Sequence, residues 1–325
     1  MTTLIYFLQR AIAQGLPLLF GATGEIITEK SGNLNLGIPG IMVVGGVSGM
    51  VSSTIYEKSV AEPIGWVSVL ISLAFSLLCS AAVALIYCFL TVTLRANQNV
   101  TGLAITTFGC GLGNFYGGAL GNILGISDTS IRTTIDAYQK SVPFADKLGA
   151  FGTVFLAHGF LLYVGIVIAI IATFVLKKTR VGLNLRAVGE NPATADAAGI
   201  NVTKYKYLAT CIGGAIAGLG GLFFVMEYQS GTWDTQSFGD RGWLAIALVI
   251  FVIWKPNFAM LGAFLFGGLY IADLYVPGLS SATKELFKML PYVVTIIILI
   301  FTSFTKKKEN QGPAALGLSY FREER

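Results

Sequence analysis

The sequence of 325 residues is 54% hydrophobic and 12% charged, with a formal net charge of +5. Soluble chains carry about a quarter charged residues, so a water-soluble fold is excluded. The apolar runs are too long and too uniform for the alternating strands of a barrel, which leaves an all-α, polytopic transmembrane helix bundle.

Nine apolar runs in chain order are read as crossings: residues 4–23, 34–53, 64–94, 100–120, 151–176, 205–229, 243–254, 258–275 and 286–304. A crossing needs roughly 20 apolar residues. The third run exceeds that and is expected to tilt or to extend past the membrane. The seventh is short: at about 1.5 Å per residue it covers roughly 18 Å of about 30 Å of hydrocarbon. The start of the chain lacks a basic stretch before its apolar run, so it does not read as a cleavable signal. Residues 1–325 therefore read as one transmembrane domain, with an internal loop at 179–203 and a tail at 305–325.

An odd number of crossings puts the termini on opposite sides. Loops of one side hold fourteen basic residues: Lys30, Arg95, Lys177, Lys178, Arg180, Arg186, Lys204, Lys206, Lys255, Lys306, Lys307, Lys308, Arg322 and Arg325. The other side holds seven: Lys58, Arg132, Lys140, Lys147, Arg241, Lys284 and Lys288. The excess of positive charge marks the cytoplasmic side, so the N-terminus is expected outside and the C-terminus inside. Membrane orientation accounts for the basic residues without a nucleic-acid partner. Cys79, Cys88, Cys110 and Cys211 all fall within apolar runs and read as small buried hydrophobes. His158, the single histidine, has no metal-type partner spacing.

Two polar stretches stand out. Residues 121–150 form a loop of mixed charge on the outer side, long enough to touch a partner. The internal loop 179–203 spells a two-turn helix with its own signals. Asn191 can cap it, Pro192 suits the first position, Ala193 to Ala198 are mainly strong helix formers, and Gly199 can take the left-handed conformation that ends it. So short a helix is unstable alone in water. Its alanine face suits insertion into a groove of another protein; a plain connecting surface helix is the other reading.

The run Arg186-Ala-Val-Gly-Glu-Asn-Pro, followed by Ala197-Ala198-Gly199-Ile200, resembles the cytoplasmic coupling loop of ABC-importer permeases of the ribose, branched-chain amino acid and nucleoside branch. The stretch Gly24-Glu-Ile-Ile-Thr-Glu-Lys-Ser-Gly-Asn-Leu-Asn-Leu-Gly-Ile-Pro-Gly40 is similar to the same branch, closest to the simple-sugar and nucleoside permeases. A third stretch, Gly239-Asp-Arg-Gly-Trp-Leu-Ala-Ile-Ala-Leu, also resembles it, so the likeness spans most of the chain. The chain departs from ribose-type permeases by lacking their extra N-terminal span, which favours the nucleoside subgroup. The resemblance implies a multi-pass permease subunit of a bacterial plasma membrane. Its implied partners are a second permease, more often a different chain in nucleoside systems, an ATP-binding cassette ATPase and an extracellular binding lipoprotein. Coupling to the ATPase then falls to Arg186, Gly189, Glu190, Asn191, Pro192, Ala197, Ala198 and Gly199.

No Gly-Lys dipeptide occurs, so the phosphate-binding Gly-x-x-x-x-Gly-Lys-Ser/Thr loop is absent. Zinc-protease motifs and nucleophile elbows are absent too. The chain is therefore read as a transport subunit without a cofactor of its own, ATP and magnesium being bound by the ATPase. An ion-coupled secondary transporter of small polar solutes is the alternative, and it requires ionisable groups in mid-membrane. Most acidic residues fall in loops, with Glu227 and Asp273 near helix ends.

Glycines recur every four residues at Gly109, Gly113, Gly117 and Gly121, at Gly214 and Gly218, and at Gly45 and Gly49. This spacing lets helices approach closely, within the bundle or against a second permease. Transporters place solute pathways at broken helices in corresponding positions of two halves. Two segments qualify as such an inverted repeat: 33–40, with Asn33 and Asn35, and 231–242, with Asp234, Asp240 and Arg241. Asn33 and Asn35 suit a pathway for neutral solutes, because their amides hydrogen-bond without fixed charge. Ordinary polar turns are the other reading of the second segment.

Overall fold

The computed structural model describes residues 2–126, 128–142, 145–234, 238–305 and 311–321. Among them all regular structure is helical. Lys306, Lys307, Lys308, Arg322 and Arg325 of the basic set lie outside the described residues.

The long helices are α1 (Thr2–Glu29), α2 (Ile38–Ser59), α3 (Gly65–Cys88, continued by a π-turn at Phe89–Thr93) and α4 (Gln98–Gly118). Three short helices follow, α5 (Leu120–Leu124), α6 (Arg132–Tyr138) and α7 (Gly149–Phe155), then α8 (Phe160–Lys178). The internal loop contains α9 (Arg180–Glu190) and α10 (Pro192–Ala197). The chain continues through α11 (Val202–Phe223, with a π-turn at Phe224–Tyr228), α12 (Arg241–Phe251) and α13 (Pro256–Ile271). It closes with α14 (Ser281–Lys288) and α15 (Leu290–Thr305).

Each of the nine predicted crossings falls on these helices, and among the described residues six are both long and apolar enough to span: those at Thr3–Glu29, Ile38–Ser59, Gly65–Thr93, Phe160–Lys178, Val202–Tyr228 and Pro256–Tyr275. The other three fall on α4, which carries Asn99, Asn114 and three threonines, and on α12 and α15, which are short. Boundaries also move. The fifth crossing begins at Phe160 because a break at 156–159 separates off α7, and the ninth splits between α14 and α15. The first runs on to Glu29.

In the core, α1 packs on α11 and α13, α11 on α2 and α3, and α2 on α4. Large apolar side chains on α3, α8, α13 and α15, such as Leu78, Phe174, Leu261 and Phe301, stay exposed, as a lipid-facing surface requires. The glycine rows are used inside the chain. A Cβ on Gly109 would fall 2.6 Å from Cα of Gly40, and one on Gly45 would fall 2.6 Å from Oγ of Ser80. Close helix approach in lipid depends on such small residues. A row not read from the sequence does the same on α3: Ser68, Ser72, Ser76 and Ser80 share one face and are all buried. Ser68 is 2.6 Å from the Thr134 hydroxyl and Ser72 is 2.6 Å from the Tyr138 hydroxyl, which pins α6 to α3.

The basic loop residues gather at one end, here the basic end, where 30–34, α9, α10 and the tail segment 311–321 meet. At the opposite end Lys58 lies 3.3 Å from Asp128, and Gln9 near the start of α1 donates to the Ala157 carbonyl. The described parts nearest the two termini thus sit at opposite ends of the bundle.

Candidate functional site

The internal loop folds as two helices rather than one. Thr179 caps α9 by accepting from the Gly182 amide at 3.1 Å. Asn191 ends α9 and starts α10, its Oδ1 accepting from the Thr194 amide at 3.0 Å, and Pro192 takes the first helical position. Gly199 closes the unit at φ +82°, the left-handed conformation that its lack of a Cβ permits. Only Ala195 of α10 is buried, against Val188 and Val202. Ala193, Ala197 and Ala198 remain exposed as a smooth face, flanked by exposed Arg186, Glu190 and Asn191. Gly189 is not on that face. It is buried beneath the backbone of Lys30 to Gly32, where a Cβ would lie 3.2 Å from the Gly32 nitrogen.

The tail segment clamps this unit. The Ala315 amide donates to the Gly189 carbonyl at 3.0 Å, and the Gly317 amide to the Gly32 carbonyl at 3.1 Å. Tyr320 donates its hydroxyl proton to the Asp196 carboxylate of α10 at 2.9 Å. Gln98 of α4 donates to the Leu318 carbonyl, and the Arg95 guanidinium lies 4.6 Å from the Phe321 ring centre. The sequence marks a tail at 305–325, but nothing in its pattern pointed to this clamp. Lys30, at the end of α1, is half enclosed; burial pulls its ammonium below the usual lysine range, opposed by the carboxylate of Glu190.

Asn33 and Asn35 lie in the break between α1 and α2, and both are fully buried. Asn33 Nδ2 donates to Thr210 of α11 at 3.1 Å. Asn35 Oδ1 accepts from the Gly37 amide at 2.9 Å, and the Asn35 amide donates to Glu25 at 3.1 Å. Side chains of other helices also bind the break: Gln98 accepts from the Leu34 amide, Tyr87 donates to the Leu34 carbonyl, and Thr106 donates to the Leu36 carbonyl. Oδ1 of Asn33 and Nδ2 of Asn35 are buried without a partner among the described residues. Neither asparagine is among the lining residues of the four best-formed cavities bounded by described residues.

The second break, between α11 and α12, is built otherwise. Gly231 has φ +73° and Ser230 φ +51°, and Gln139, just after α6, donates to Ser230 and to the Glu227 carbonyl. Arg241 is buried beside the Phe224 ring at 4.3 Å and bonds Gln14 of α1 at 3.0 Å and 3.2 Å and the Phe238 carbonyl at 2.8 Å. It is a strut between α1 and α12. Thr235, Gln236 and Ser237 lie outside the described residues.

Two acidic residues that fall between the predicted crossings lie inside the bundle, and Glu227 lies near a helix end as expected. Glu25 and Glu29 lie on the extended part of α1 and are buried, Glu29 accepting from the Trp254 indole. The Glu227 carboxylate lies against Gly159 at the start of α8.

A family model described as branched-chain amino acid transport system, permease component, matches residues 7–299. The nucleoside ABC transporter permease NupC of Lactococcus lactis is 33% identical over 290 residues, covering 87% of each chain. The putative glucose ABC transporter permease TsgC13 of Haloferax volcanii is 30% identical, covering 94% of each chain. The guanosine ABC transporter permease NupQ of Bacillus subtilis is 29% identical, covering 95% of this chain and 94% of its own. No solved structure matches the chain.

Proposed function

We propose a function from one premise: the chain belongs to the family of permease components of branched-chain amino acid transport systems. It is a multi-pass permease subunit and forms half of the translocation pathway of an ATP-binding cassette importer. The imported solute is a nucleoside or a related small neutral molecule. An extracellular binding lipoprotein delivers it, a second permease of different sequence completes the pathway, and a separate ATPase binds ATP and magnesium. The basic end faces the cytoplasm and the N-terminus lies outside.

One observation carries the coupling role: α10 is capped at both ends, anchored by Ala195 and Tyr320, and turns Ala193, Ala197 and Ala198 outward. A helix of that length holds its shape only because the bundle and the tail support it, so its smooth face is available to seat in a groove. Arg186, Glu190 and Asn191 border the face and set its orientation, while Gly189 and Gly199 shape the backbone beneath and beyond it.

The test is gentle solubilisation of a tagged chain followed by identification of what co-purifies. An ATPase, a second permease and a binding protein are expected, and the reconstituted complex should import guanosine at the expense of ATP. Recovery of the chain alone, with guanosine uptake driven by an ion gradient, would overturn the reading.

A further inference from the structure

At the opposite end of the bundle the described turn at 229–233 borders open space. It leaves a cavity of about 610 Å³ between the end of α4, α5, the 128–130 loop and the turn at 230–233. That volume lies within the range of about 300–1,000 Å³ typical of small-molecule sites. Asn122, Thr129, Ser130, Ser230 and Thr232 line it with amide and hydroxyl groups. Among the described residues lining it Asp128 alone is charged, and Lys58 neutralises it at 3.3 Å. Such a lining suits a neutral, hydroxyl-bearing solute.

Trp233 adds an aromatic surface, and the glycine row of α4 makes room for it. A Cβ on Gly117 would fall 2.5 Å from Cγ of the indole, so only glycine lets the ring lie against α4 there. The turn that presents Trp233 is rigid: the Gly231 amide donates to the Val225 carbonyl at 2.8 Å, Thr232 to the Gln229 carbonyl at 2.7 Å, and Gln139 to Ser230 at 3.0 Å. Ser230 holds a left-handed φ of +51°, which a non-glycine residue keeps only where its surroundings enforce it. The indole N–H is buried and has no hydrogen-bond partner among the described residues. A buried donor left unpaired is costly, and an incoming acceptor would remove that cost.

We propose that this cavity is a solute chamber that receives a nucleoside, its flat heterocycle stacked on Trp233 and its sugar hydroxyls met by Asn122, Thr129 and Ser230. The chamber deepens the importer function proposed above and rests on it. Aromatic stacking suits a transit site, because every base offers a π-face and no fixed charge holds the solute back.

The experiment uses the complete complex, permease with ATPase and binding protein, in proteoliposomes, with tritiated guanosine as probe. Trp233→Ala should lower uptake per complex roughly 5- to 100-fold, the range of a lost base–aromatic stack. Trp233→Phe, which keeps a ring, should retain most of it, and Gly117→Ala should fall toward Trp233→Ala by lifting the indole. The second measurement does not depend on those variants folding. Thr232→Cys in a cysteine-free background is labelled from outside with an impermeant maleimide, with and without guanosine-loaded binding protein. Guanosine should slow the labelling, and galactose should not. Normal uptake by Trp233→Ala, or equal labelling with and without guanosine, overturns the chamber while leaving the importer intact. A wild-type complex that imports no guanosine, uridine or adenosine overturns the substrate reading, and the chamber falls with it.

Discussion

The two broken segments share a sequence signature of glycine and short polar side chains, yet one is filled and the other is hollow. At 32–37 five other parts of the chain supply partners: Glu25 of α1, Tyr87 of α3, Gln98 and Thr106 of α4, Thr210 of α11, and the tail through Gly32. At 229–233 the bonds come mainly from the turn itself and from Gln139, and a cavity remains beside Trp233. Interruption of a helix frees backbone groups; whether the result is a knot or a chamber depends on how many distant side chains arrive to occupy the space.

Four variants probe that contrast. The largest effect is expected from Asn33→Leu combined with Asn35→Leu. Each change removes a buried partner at a cost of about 1–3 kcal/mol, so the double variant should lose membrane abundance and melt several degrees lower. Thermal unfolding of the purified complex, alongside uptake per folded permease, decides it. A well-folded variant with depressed uptake would instead make these residues part of the pathway. Ala198→Glu should leave abundance unchanged and reduce uptake to background, because a charged side chain would stand on the smooth face of α10. Persistent uptake with normal ATPase stimulation would remove α10 from coupling.

Tyr320→Phe is expected to act more mildly. Loss of its bond to Asp196 costs about 1 kcal/mol at a partly exposed site, so amide exchange at Ala315 and Gly317 should speed roughly fivefold. The smallest effect belongs to Asp128→Asn. Hydrogen bonds from Ser130, and then the Lys58 ammonium, hold the Asp128 carboxyl down at about 2. An unperturbed aspartate titrates near 3.9. The stabilisation is therefore present above that value and disappears as pH falls through about 2. Melting curves of wild type and variant should differ slightly at neutral pH and converge in strong acid; a gap that survives there would mean a packing effect.

What the sequence made legible was local. The cap at Asn191, the proline after it and the stop at Gly199 are written within nine positions of one another, and the structure follows them. Long apolar runs likewise marked the helices. The length of α1 was not legible, because Glu25 and Glu29 look like loop residues until Asn35 and Trp254 are seen to meet them. Nor was α9, whose mixed run Arg180 to Glu190 gains its helix from burial of Gly182, Leu185 and Val188. Trp233 gave no signal of its own, since its berth is made by Gly117 on another helix. The serine row of α3 obeys the same four-residue rule as the glycines and could have been read by it.

Order along the chain gives the tail clamp a temporal meaning. Segment 311–321 follows α15 in the sequence, yet it supplies the amides that meet Gly189 and Gly32 and the phenol that meets Asp196. A ribosome therefore delivers every described helix before it delivers the piece that fastens α9 and α10. A nascent chain halted before residue 311 has every described helix but lacks the bonds that fasten α9 and α10. Fastening of α9 and α10 therefore follows synthesis of the last described helix.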